Sequence, residues 1–148
     1  MFKIIAASAA TVVLLGACTS LGIQDGGGER AIHRTFQAPV GAQQALARAQ
    51  EQMQQCLRGS NQNSVRVSGD PSTGGRAEVY AARTQNVFAR ADVKPAGPDR
   101  ADVTLTLLNA SIYDADAAAA LRESIEFGVP TCRAYMPRPA EDGKPRRR

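Results

Sequence analysis

From residue 31 onward, apolar and polar positions alternate in two distinct periods, and these set out the elements. Ala31–Gln37 places Ile32, Arg34 and Phe36 against His33, Thr35 and Gln37, a period of two that predicts a short strand ended by Pro39. In Gly41–Arg58 the period changes. Ala42, Ala45, Leu46, Ala49, Met53, Cys56 and Leu57 recur at helical spacing among Gln, Arg and Glu, so an amphipathic helix is expected, stopped by Gly59. Four alternating runs follow: Ser64–Ser68, Arg76–Ala82, Val87–Val93 and Asp102–Leu108. The segments between them, Gly69–Gly75, Arg83–Asn86 and Lys94–Ala101, are rich in turn residues and short enough for antiparallel hairpins. A last helix begins at Asp114, a good N-cap with Asp116 in the first turn. It carries the stripe Ala117, Ala118, Leu121 and Ile125 and ends at Gly128 and Pro130. The order β-α-β-β-β-β-α predicts an α+β fold: a two-layer sandwich, its antiparallel sheet of four to five strands carrying two helices on one face.

Two segments carry no such pattern. Thr19–Arg30 holds Gly26-Gly27-Gly28 and reads as a flexible spacer; no strand precedes these glycines and no Lys-Ser/Thr follows, so a phosphate loop is excluded. Residues 137–148 combine Pro, Gly and charge and read as a disordered basic tail. The domain boundaries are therefore 1–17 for a leader, 18–30 for the modified N-terminus and spacer, 31–136 for the α+β domain and 137–148 for the tail.

The leader is the most specific stretch of the chain. Lys3 precedes the uncharged run Ile4–Leu15, which is too short to span a bilayer, and Leu15-Gly16-Ala17-Cys18 closes it. The stretch resembles the signal peptide of bacterial lipoproteins, whose lipobox reads Leu, a small residue, Gly or Ala, then Cys. The resemblance implies cleavage before Cys18, a diacylglycerol thioether on its sulfur and an acylated amino group. Three chains anchor firmly, since each buried methylene contributes about 0.8 kcal/mol. Thr19 stands where an Asp retains such proteins at the inner membrane of enteric bacteria. By that analogy the destination is the periplasmic face of the outer membrane, with membrane lipid as the first partner.

Charge and cysteine content sharpen this picture. The net charge of +4 is concentrated in Lys144, Arg146, Arg147 and Arg148, and the chain without these residues and the leader falls just below neutrality. Basicity is thus a property of the tail, and a nucleic-acid partner is not expected. Solvation accounts for such a charge run; a contact with anionic lipid or an acidic partner is its functional alternative. With Cys18 acylated, Cys56 and Cys132 remain, and in an oxidising compartment one disulfide between them is the natural expectation. The chain has no Trp and few aromatics, so the core must be aliphatic.

Candidate chemistry is sparse. His33 is the single histidine, and its place at the domain boundary suits a solvent-facing or capping role better than catalysis. Asp114 and Asp116 are explained by capping, and Cys56 and Cys132 are not a C-x-x-C redox pair. No catalytic residue, metal site or cofactor is expected. If odd-numbered positions such as Val65, Val79 and Leu105 face the helices, Arg66, Tyr80, Phe88 and Arg90 share the open face of the sheet, the composition that interfaces favour. A register slip of one residue would instead carry Phe88 into the core. The expected function is a non-catalytic binding or accessory module of the cell envelope with an envelope protein as partner. A periplasmic enzyme with an unrecognised site and a structural lipoprotein without a specific ligand are the alternatives.

Overall fold

The computed structural model describes residues 30–59 and 62–132. The lipobox, nearly all of the spacer and the basic tail lie outside the described residues. The elements are β1 (Ile32–Ala38), α1 (Ala42–Gln52) continuing into a π-helical turn (Met53–Leu57), β2 (Asn63–Asp70), β3 (Gly74–Ala81), β4 (Val87–Gly97), β5 (Arg100–Leu107) and α2 (Ala115–Phe127). The five strands form one antiparallel sheet in the order β1-β5-β4-β3-β2. This is the expected α+β sandwich, with β1 joining the sheet beside β5.

One face of the sheet is buried by alternate residues: Ala77 and Val79 of β3, Ala89, Ala91 and Val93 of β4, Ala101, Val103, Leu105 and Leu107 of β5. Small side chains dominate where α1 crosses β3 and β4. A Cβ on Gly75 would sit 2.5 Å from Leu46 Cδ2, so glycine there lets α1 lie close to the sheet. Leu46, Met53, Leu57, Leu121 and Ile125 close the core from the helical side. Each such buried side chain contributes about 1.5–3 kcal/mol relative to exposure.

The helix ends follow the sequence closely. Asp114 Oδ1 accepts a hydrogen bond from Ala117 N at 3.0 Å, and Gly128 takes the left-handed conformation, φ 76°, that stops α2. The freed C-terminal carbonyls of α2 are capped from its neighbour: Arg48 of α1 donates Nη1 to Ile125 O at 2.9 Å and to Glu126 O at 3.0 Å. α1 itself starts at Gly41 without a side-chain cap, because a Cβ there would lie 2.7 Å from Pro98 O.

Strand limits differ from expectation at the hairpin tips. β2 runs on to Asp70 and β3 starts at Gly74. β4 extends through Pro95 to Gly97 and β5 begins at Arg100. The apolar alternation ends at these tips, where residues 68–70 and 94–100 are exposed, yet the backbone ladder continues. Pro95 donates no ladder bond and lies at a register shift, where a strand proline is tolerated.

Cys56 and Cys132 are joined in a disulfide with Cα atoms 4.8 Å apart. Beside it, buried Gln52 grips the chain that follows α2 in both directions. Its Nε2 donates to Thr131 O and its Oε1 accepts from Thr131 N, each at 2.8 Å. The side-chain amide imitates a strand neighbour, and the bridge lies one residue further on.

Candidate binding face

The face of the sheet away from the helices is polar, and its side chains pair along the strand register. Arg66 of β2 stands opposite Glu78 of β3, which in turn stands opposite Arg90 of β4. Glu78 is only 3% exposed. Its Oε2 accepts from Arg66 Nε at 2.7 Å and its Oε1 from Arg90 Nε at 2.8 Å, so one carboxylate ties three strands together. A carboxylate so far out of water is tolerated because each oxygen meets a charged donor.

The same rule repeats across the face. Arg76 Nε donates to Asp92 Oδ1 at 2.5 Å, and Gln37 Nε2 to Asp102 Oδ1 at 3.2 Å. His33 Nδ1 and Thr106 Oγ1 are 3.3 Å apart, with donor and acceptor set by the tautomer. Each pair is a direct cross-strand neighbour. His33 thus lies on the sheet, with Thr106 as its partner.

Of the four residues expected on this face, three come together. The Arg66 guanidinium lies over the Tyr80 ring, 4.6 Å from its centroid, and Arg90 completes the cluster through Glu78. The Arg66 side chain is 42% exposed and that of Arg90 12%, so Arg66 with Tyr80 forms the accessible part. Gln85, held at φ 60°, reaches Arg66 Nη1 with its Oε1 at 3.3 Å.

Phe88 is placed elsewhere. A bulge between Val79 and Tyr80 shifts the β3–β4 register so that Val87, not Phe88, stands opposite Tyr80. Phe88 packs against the core and stacks on Tyr113, with ring centroids 5.2 Å apart and planes 15° from parallel. The Tyr113 hydroxyl accepts a hydrogen bond from Asn63 Nδ2 at 3.2 Å. The physical reason is the extra residue, which reverses alternation beyond the bulge.

Glu78 is the residue that sequence reasoning did not single out. Its signal was present in an acidic residue set between Ala77 and Val79, on a strand whose neighbours supply Arg66 and Arg90. A groove of about 740 Å³ was also not foreseen. It lies between the start of α1 and the two hairpin tips, with Gln43, Gln44, Asp70, Pro71, Pro98 and Asp99 in its walls. At its rim Asp70 Oδ1 accepts from Ser72 N at 2.8 Å, and that backbone hydrogen bond, aided by the Ser72 hydroxyl, holds the Asp70 carboxyl below the usual aspartate range. Among the described residues no three His, Cys, Asp or Glu side chains gather as a metal site, and no helix is long and apolar enough to cross a membrane. No protein-family model, curated protein or solved structure matches the chain.

Proposed function

We propose that this protein is a lipid-anchored component of the bacterial envelope, held through acylated Cys18 at the periplasmic face of the outer membrane. Its α+β domain presents the open sheet face to another envelope protein and catalyses no reaction. Two features support the anchoring half: the leader ending Leu15-Gly16-Ala17-Cys18, and the Cys56–Cys132 bridge, which fits an oxidising compartment. The observation that carries the binding half is Arg66 stacked on Tyr80 above buried Glu78. The pairing holds a guanidinium and an aromatic ring in fixed positions at the surface, so little side-chain freedom is lost when a partner covers them, and Arg and Tyr are the types that anchor interfaces.

The test is a photo-crosslinking residue placed at Tyr80 in the full chain in cells, with the same residue at exposed Ala119 on α2 as reference. A discrete crosslinked envelope protein from position 80 and none from position 119 is expected. Equal labelling from both positions, or none from position 80, removes the sheet face as the docking surface.

A further inference from the structure

We infer that β2 is a pairing edge for a second copy of this chain, with Val67 of each copy meeting at a two-fold axis. The inference goes beyond the proposed function and does not depend on the lipid anchor.

β2 is an outer strand of the sheet, and its register with β3 runs without interruption from Asn63 to Asp70. Outer strands are ordinarily blunted by proline, lysine or an exposed charge. β2 has no proline or lysine; of its two charged residues, Arg66 is paired with Glu78 and stacked on Tyr80, and Asp70 stands at the hairpin tip. Between them Val67 is 40% exposed, the one large hydrophobic side chain of any strand left so open among the described residues. The opposite outer strand, β1, carries exposed Arg34 and ends against Pro39.

Backbone parity points the same way. Ala82 N donates to Gln62 O at 3.1 Å, so even-numbered residues of β2 exchange their hydrogen bonds with β3. The alternation of an antiparallel ladder then turns the N–H and C=O of Val65 and Val67 outward from the sheet. A second copy of β2, brought up antiparallel, can satisfy them.

Side chains select the register. Centring the two-fold axis on Arg66 would set two guanidinium groups directly opposite each other, which is unfavourable. Centring it on Val65 would set exposed Val67 against polar Asn63. Centring it on Val67 sets valine against valine and Arg66 against Ser68, with no like charges opposed. The result is a ten-stranded sheet with both helical layers on one face and both Arg66–Tyr80 clusters on the other.

The test uses the full chain with Val67→Cys, compared with wild type and with Ala119→Cys on α2. Under mild oxidation Val67→Cys is expected to run at twice the chain mass on a non-reducing gel and to return to single mass on reduction, while the other two stay single. Light scattering gives the second reading: wild type is expected at twice the chain mass, and Val67→Lys at the single mass with an unchanged circular dichroism spectrum. A wild-type protein that scatters as one copy overturns the inference. So does a Val67→Cys chain that stays single, or that bonds to a protein of another mass.

Discussion

Gln52 and Thr131 make two reciprocal 2.8 Å hydrogen bonds between a helical side chain and a backbone 79 residues away in sequence. Gln52 is fully buried, so these bonds close a polar gap in the helical layer that water does not reach. Truncation to Ala would leave the Thr131 backbone groups without partners. Gln52→Ala should destabilise the domain by about 1–3 kcal/mol, measured by chemical denaturation, whether or not the disulfide is intact. An unchanged midpoint would show that this contact holds nothing.

The Cys56–Cys132 bridge adds a covalent tie beside that pair. Reduction should lower the thermal midpoint while leaving far-ultraviolet circular dichroism largely intact, because the aliphatic core does not depend on it. The double variant Cys56→Ala with Cys132→Ala should cost about 2–5 kcal/mol. A loss of secondary structure on reduction would instead place the bridge at the centre of the fold.

The open face yields a graded series. Removing Arg90, which is mostly buried, takes the charged donor from Glu78 Oε1 in a buried place, whereas Arg66 is the outer partner and is partly solvated. Arg90→Ala should therefore be the costlier change, by roughly 2–4 kcal/mol, with Arg66→Ala near 1 kcal/mol. Equal costs would contradict the inward placement of Glu78.

The fold class, both helices and the caps at Asp114 and Gly128 were legible because each rests on local signals: a change of period, a capping carboxylate, a glycine stop. The helical positions of Cys56 and Leu57 were legible for the same reason. Sheet order was not, because nothing local in Ala31–Gln37 says that β1 lies beside β5. Of the four residues expected to share the open face of the sheet, three do so. Arg66, Tyr80 and Arg90 alternate correctly, but the bulge before Tyr80 adds one residue to β4 and sends Phe88 to Tyr113. Glu78 escaped notice because its importance comes from two neighbouring strands at once, and register is a tertiary property.

Asp70 offers a check by pH. Its carboxyl is held below the ordinary aspartate range by hydrogen bonds from Ser72, so the ionised form is favoured in the folded hairpin tip. The associated stability is present above the ordinary aspartate pKa and is lost as pH falls through the lowered folded value. Carbon-13 titration should place the Asp70 midpoint below that of the free side chain, and Ser72→Pro, which removes the donor N–H, should move it upward. A midpoint at the ordinary value in the unmodified protein would show that this turn is not formed in solution.

The proposed lipid anchor at Cys18 bears most directly on the proposed place of this protein. Intact-mass spectrometry of the unreduced protein extracted from cell membranes reads its N-terminus, its lipid and its bridge together. The expected mass is that of a chain beginning at Cys18, increased by a diacylglycerol and an acyl group and decreased by the two hydrogens lost in the Cys56–Cys132 bond. A chain that still begins at Met1, or one cleaved without any lipid on Cys18, would contradict the account.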